Sequence, residues 1–413
     1  MIRLKRVKTL GNGIEDLTID SEEELTIDCE ERLVRLPGLI DPHVHFRTPG
    51  AEHKENWRSG AKAAIRGGIT TVFDMPNNQP PCVDPDSFHQ KKALIDQQLK
   101  ECGIPLNYKL FFGADKDHIL SVGKVRDEVI GVKIFMGSST GGLVMEDRES
   151  IDRAFELAAQ HDLMVAVHAE DEEILKERQQ AFAGEKHPAI HSKIRDRSAA
   201  IKATELAIEL AEKYNSRVYI LHLSTKEELD LVRQARDRQI LVFAETTPHH
   251  LFLNEEAYEN WGTKVQMNPP LRTPKDQEAL WEAIHDGTID SIGSDHAPHT
   301  LDEKNRPYGE APSGIPGIET TLPLLLNACN EGKLTLEQIV KLMRINLEQI
   351  YNLPHSSDVV LVDMELPKTV NDQNILSKCG WSPYSGMTLK GWPVYTIING
   401  KPYKAEDATP LRP

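Results

Sequence analysis

The chain has 413 residues, a formal net charge of −16 and 39% hydrophobic residues, an ordinary globular composition that leaves room for one large barrel with an appended domain. The acidic balance argues against nucleic acid or an anionic membrane as the main partner, since both reward clustered Lys and Arg. No apolar run reaches the roughly 18 residues that a membrane span requires.

Met1 to Leu10 alternates basic and apolar residues and lacks a signal-peptide core followed by a small-residue cleavage site. Through residue 37, short alternating stretches ("IRLKRV", "EDLTID", "EELTID") read as strands of a small β domain. From Gly38 to Asn352 the rhythm changes. Apolar β-rich runs now alternate with amphipathic helical stretches, the pattern of βα repeats around a parallel sheet. The strands are expected in "LIDPHVHF", "ITTVFDM", "NYKLFFG", "GVKIF", "LMVAVH", "RVYILH", "QILVFAE" and "IDSIGS", and helices among others at Glu55–Arg66, Asp147–Gln160, Ser198–Tyr214 and Lys275–His285. About eight such units in roughly 300 residues fit a (β/α)₈ TIM-type barrel, with a doubly wound open sheet as the rival. His299 to Gly317, rich in Gly, Pro and charge, reads as a loop over the barrel mouth and a candidate lid. Residues 353–413 return to strand patterns ("DVVLVDM", "PVYTIINGKPY") and are expected to complete the small β domain begun by residues 1–37. The five cysteines (Cys29, Cys82, Cys102, Cys329, Cys379) are scattered and contain no CxxC pair, so they read as reduced thiols of a cytoplasmic protein.

A barrel of this kind carries its chemistry at the C-terminal ends of its strands. His43 and His45 end the first predicted strand, Lys133 lies on the fourth, His168 ends the fifth, His222 the sixth, and Asp295 follows the eighth. Residues two apart on a strand project to one face, so His43 and His45 can converge on one ion. Neutral imidazoles with an added carboxylate suit zinc or a similar divalent ion. HxH alone is a weak signal; three further strand-end ligands make it a strong one. A buried lysine costs desolvation unless it pairs or loses its charge. Lys133 taken alone reads most simply as a substrate-binding or surface lysine, with carbamylation to a carboxylate-like bridging group as the chemical alternative. Asp295, in "GSDHAPH", can act as ligand and general base. His299 can hold substrate or stabilise charge, and His296 has the weaker claim. His249 and His250 read better as packing than as support for a ligand.

Together, "PGLIDPHVHFRTPG", "DMPNNQP", "GVKIFMGSSTGG", "VHAEDE", "LHLST", "NPPLR" and "SDHAPH" resemble the amidohydrolase superfamily and, within it, the dihydroorotase family. The resemblance runs from about Gly38 to Asn352. It implies two zinc ions: one held by His43, His45 and Asp295, the other by His168 and His222, bridged by an N-carboxylated Lys133 and a hydroxide. That reverses the simpler reading of Lys133. Many bacterial members with the "HFR-x-PG" segment instead use an aspartate bridge, and "GVKIFMGSSTG" is closer to lysine-bridged relatives such as allantoinases. Thr48 also stands where glutamate is common.

Arg47, two residues beyond His45, should face the same cavity, where a guanidinium can pair with a carboxylate; a rim salt bridge is the alternative. The resemblance assigns carboxylate binding to Arg47, Asn77 and His299, and a ring-amide contact to Asn268. The implied reaction is the reversible hydrolysis of L-dihydroorotate to N-carbamoyl-L-aspartate in pyrimidine biosynthesis. A homodimer is a family-level expectation. The nearest alternative is another cyclic amidase (allantoinase, dihydropyrimidinase or hydantoinase); a catalytically dead barrel that scaffolds a transcarbamoylase is the more distant one.

Overall fold

In the computed structural model, which describes residues 1–11, 13–139 and 141–412, all eight predicted barrel strands form. They are β5 (Leu39–Val44), β6 (Ile69–Asp74), β7 (Asn107–Gly113), β8 (Gly131–Phe135), β9 (Val165–His168), β10 (Val218–Ile220), β11 (Val242–Thr246) and β12 (Ser291–Ile292), after β1 (Ile2–Lys8), β2 (Ile14–Ile19), β3 (Leu25–Asp28) and β4 (Leu33–Pro37). Neighbours from β5 to β12 pair in sequence order, all parallel. The ring closes through the residues after β12: His45 N–H donates to the His296 carbonyl at 2.8 Å, and Val44 bridges His296 in parallel. An open doubly wound sheet is thereby excluded.

Period-two alternation decides what each strand shows to either side. Val132 and Ile134, Val165 and Val167, Val218 and Ile220, and Val242 and Ala244 pack outward against the helices in the largest apolar cluster. The alternate positions point inward. Ile40, Phe73, Phe111, Ala166 and Tyr219 join Leu347, Ile350 and Tyr351 in a second cluster that fills the barrel floor. A strand apolar on both faces reads as a continuous hydrophobic run, which is why these segments are conspicuous in the sequence. The helices at Trp57–Arg66, Arg148–Gln160, Arg197–Tyr214 and Pro274–Asp286 fall within a residue or two of expectation. Asp147 caps the second by accepting from the Ser150 amide, and Thr273 with Asp276 forms a capping box on the last.

The terminal strands make one further sheet. β13 (Val359–Thr369), β14 (Thr388–Ile398) and β15 (Lys401–Lys404) follow the barrel, and the order is β15-β14-β13-β4-β1-β2, with β3 beside β1. β4 and β13 pair antiparallel, Leu36 opposite Val360. Gly38 sits at the corner between this sheet and the barrel. A Cβ there would lie 2.4 Å from Thr70 Oγ1 and 2.6 Å from Asp358 Cβ, so the approach admits only glycine.

Between β13 and β14 the chain leaves its sheet and reaches back to the barrel mouth. The Leu376 and Ser377 amides donate to Glu319, and Trp381 Nε1–H donates to the His299 carbonyl at 2.8 Å. Ser377 also binds Glu55, which faces His296 Nε2 at 3.3 Å. The segment 299–317 holds one helical turn, Leu301–Lys304, capped by Thr300. It is tied down by the buried Lys304, which donates to the Gln266 and Pro312 carbonyls, and by Ala297 N–H to the Ile315 carbonyl. Among the described residues, no helix is long and apolar enough to cross a membrane.

Candidate active site

The inward alternation of the strands gathers the polar residues that the floor cluster lacks. His43 and His45 on and just beyond β5, Lys133 on β8, His168 at the end of β9, His222 just after β10 and Asp295 after β12 all line one cavity at the C-terminal ends of the strands. Arg47, Asn77 and Asn268 line it too. His299 stands behind Arg47, its Nε2 3.3 Å from the guanidinium. Arg47, His222 and Asp295 have φ of 60°, 41° and 44°. Left-handed backbone is rare outside glycine, and three non-glycine cases around one cavity mark stored local strain.

Asp295 Oδ1 lies 3.3 Å from His43 Nε2 and 3.2 Å from His45 Nε2. These three ligand atoms fall within 4.8 Å of one another, a spacing that one cation can satisfy. The far side of each ring is already engaged: His43 Nδ1 faces Glu245 Oε1 and His45 Nδ1 faces Asn77 Oδ1, both at 2.8 Å. With Nδ1–H donated to an acceptor, Nε2 is left as the lone pair that a metal needs. Burial pushes His43 down to about 4 and His45 well below the usual value, so both rings are neutral near neutral pH.

His168 and His222 form a second pair, Nδ1 to Nε2 at 2.9 Å. His168 Nε2–H donates to Glu170 at 2.9 Å, and Arg195 binds that carboxylate through Nε at the same distance. Burial alone would raise Glu170, but Arg195 and His168 override it and hold the acid well below its usual range.

Lys133 belongs to both halves. Its amine is fully buried, 4.6 Å from the centre of the Phe135 ring, and has no hydrogen-bond partner among the described residues. Burial pulls it down to about 7, against the attraction of Asp295 and Glu245. Its charge depresses all four histidines. An unpartnered amine amid four neutral imidazoles and an acid is costly as it stands. The same donor set, with the amine converted to an anion, is what divalent cations require. The donor set is suited to a divalent metal.

Other residues shape the site without having stood out in the sequence. Glu245, on the inner face of β11, accepts from His43, from Tyr219 O–H at 3.0 Å and from the His222 amide at 3.3 Å; burial raises it to about 8. At the end of "QILVFAE" it is indistinguishable from a solvent-facing acid until the strand's parity is known. Asp41 accepts from the Ser294 amide at 2.9 Å and the His43 amide at 3.3 Å, which joins β5 to the loop carrying Asp295. Lys54 donates to His299 Nδ1 at 3.0 Å and pairs with Glu303 at 3.1 Å. His250 packs as expected, with Nε2 3.2 Å from the Pro269 carbonyl, beside Asn268. His296 faces Glu55 and does not line the cavity. Glu245→Gln is expected to weaken divalent-ion binding about tenfold or more by loosening His43. Equilibrium dialysis against zinc reads this directly; unaltered affinity would mean that the strand alone orients the ring.

A family model described as the amidohydrolase family matches residues 34–403. The chain is 34% identical to the dihydroorotase of Methanosarcina acetivorans, over 96% of this chain and 85% of that one. It is 37% identical to the dihydroorotase of Pyrococcus furiosus, over 91% and 82%. Among solved structures, the L-hydantoinase (dihydropyrimidinase) from Arthrobacter aurescens superposes with a TM-score of 0.91 at 26% identity, covering 99% of this chain and 97% of that one.

Proposed function

Because this chain belongs to the amidohydrolase family, whose members are metal-dependent, we propose that it is a dihydroorotase: it interconverts L-dihydroorotate and water with N-carbamoyl-L-aspartate. It is a hydrolase of C–N bonds in cyclic amides. The observation that carries the narrower reading is Arg47. This guanidinium is 7% exposed, lines the cavity and forms no ion pair with a carboxylate among the described residues. Burial lowers it to about 10, so it remains charged at neutral pH. Asp295 and other nearby acids act on it only at a distance, so a buried cation with no carboxylate in direct contact favours an anionic ligand. Dihydroorotate brings a ring carboxylate, whereas hydantoin, allantoin and dihydropyrimidine rings need not.

His43, His45 and Asp295 would hold one zinc ion and His168 and His222 a second, with Lys133, N-carboxylated, between them. When bound, the two cations supply an ionised water at neutral pH and polarise the carbonyl it attacks. The remaining work falls to the protein. Arg47 and Asn77 fix the ring by its carboxylate, His299 supports the Arg47 guanidinium from behind, and Asn268 meets the ring amide. The water oxygen bonds to the scissile carbonyl carbon and Asp295 takes the water's proton. As the C–N bond breaks, Asp295 returns that proton to the departing ring nitrogen, leaving the new carboxylate and the carbamoyl NH₂. Synthesis runs the same transfers backwards.

The likeness to L-hydantoinase and the lysine on β8 keep a neutral-ring cyclic amidase as the second reading. The test is a side-by-side assay of the metal-replete enzyme on dihydroorotate, allantoin, hydantoin and dihydrouracil. Dihydroorotate is expected to lead in kcat/KM by about 100-fold or more, the value of a charge-assisted contact with a buried guanidinium. A preference for any neutral ring would overturn the reading.

A further inference from the structure

A buried histidine outside the catalytic group joins Asn268 to the segment over the mouth. His191, on the short helical turn His191–Ile194, has Nε2 3.0 Å from the Met267 carbonyl oxygen and 2.9 Å from Asn268 Oδ1. A backbone carbonyl only accepts, so Nε2 carries the proton and Nδ1 is a lone pair. That lone pair lies 3.2 Å from the Tyr308 hydroxyl, which must therefore donate to it. Burial and Arg195 push the imidazole down to about 3, so the ring is neutral through the neutral range. Donation thus runs one way: Tyr308 O–H to His191 Nδ1, then His191 Nε2–H to Met267 and to Asn268 Oδ1. With its oxygen engaged by an imidazole N–H, Asn268, which lines the cavity, has its NH₂ left to donate.

We propose that His191, oriented by Tyr308, is a positioning residue that fixes Asn268 as a hydrogen-bond donor to the non-scissile carbonyl of the substrate ring. This rests on the dihydroorotate reading and deepens it. Around such a ring, carbonyls and N–H groups alternate, so a donor and an acceptor at one place in the wall select different rotations of the ring. With the ring carboxylate anchored at Arg47, a donor at Asn268 selects the rotation that brings the other carbonyl to Asp295. The opposite amide orientation would attract a ring N–H and turn the scissile bond away.

Two measurements test it. Ring-nitrogen chemical shifts of 15N-histidine in the intact enzyme, assigned by the signals lost in His191→Gln, read the tautomer whatever the substrate is. A neutral Nε2–H ring is expected; a neutral Nδ1–H ring or a cation overturns the proposal. The second compares wild type, His191→Leu, His191→Gln and Tyr308→Phe on dihydroorotate and its 2-thio analogue, whose sulfur is the poorer acceptor. His191→Leu is expected to lower kcat/KM about tenfold and to lose the preference for oxygen over sulfur, the scale of one neutral hydrogen bond. His191→Gln, which keeps an N–H toward Asn268, should restore most of both, and Tyr308→Phe should fall between. An unchanged oxygen preference in His191→Leu, or, should that variant not fold, in Tyr308→Phe, overturns the proposal. A wild-type enzyme inert on dihydroorotate would instead refute the substrate assignment, and the tautomer would still decide the orientation of Asn268.

Discussion

Asp295→Asn should lower kcat by about 10³-fold or more while the protein still folds and still retains divalent metal, the scale of losing a positioned general base. The substitution is nearly isosteric. The amide oxygen can occupy the place of Oδ1, 3.3 Å and 3.2 Å from His43 and His45 Nε2. An amide accepts no proton at working pH, so both transfers, from water and to the ring nitrogen, lose their carrier. Asp295 is also held in left-handed backbone at φ 44°, a conformation that Asn tolerates at least as well. A fall in activity therefore reports chemistry more than folding. Steady-state rates in both directions, with metal content by emission spectrometry, make the measurement. Turnover within tenfold of wild type would remove Asp295 from the proton path.

Lys133→Ala should abolish turnover and cost the second equivalent of metal, because His168 and His222 would be left as a pair of neutral imidazoles without an anionic ligand beside them. The mechanism behind this can be read separately. With Lys133 near 7, a large fraction of the amine is unprotonated at neutral pH and able to attack carbon dioxide. Metal-stripped enzyme should then recover activity with zinc only when bicarbonate is present, and Lys133→Ala should not respond to it. Recovery indifferent to bicarbonate would refute the carboxylated bridge. The same shift makes stability depend on pH. In the metal-free protein the folded-state pKa lies below the unfolded one, so the unfolded chain binds more protons between about 7 and 10.5, and stability rises with pH across that window. Lys133→Met should flatten this rise in urea titrations of the metal-free protein.

Much of this was legible in the chain because burial on both faces leaves strands as unbroken apolar runs, and because metal-capable side chains stand where those runs stop. His43, His45, His168, His222 and Asp295 were readable on that ground alone. Lys133 was not: nothing in "GVKIF" distinguishes a rim lysine from a buried one, and the family pattern supplied what the residue did not. Glu245, Glu170 with Arg195, and the Tyr308–His191–Asn268 chain were hidden for another reason. Each depends on which side of an element a polar residue faces and on partners tens of residues away, and neither is a property of local pattern. Segment 299–317 read correctly as a crossing over the mouth, while its anchoring by Lys304 depends on carbonyls of Gln266 and Pro312 that no composition reveals. The return of residues 376–381 to the mouth was invisible because short polar contacts to Glu319 and Glu55 carry no periodicity.

The pairing of β4 with β13 sets an order on biogenesis. β4 ends at Pro37 and its partner begins at Val359, so on the ribosome nearly the whole barrel emerges while one long side of β4 has nothing to bond to. An unsatisfied strand edge recruits whatever strand comes first. Translation that stalls or terminates before the final sixty or so residues should therefore yield polypeptides that bind chaperones or aggregate, even though every histidine that lines the barrel mouth has already been made.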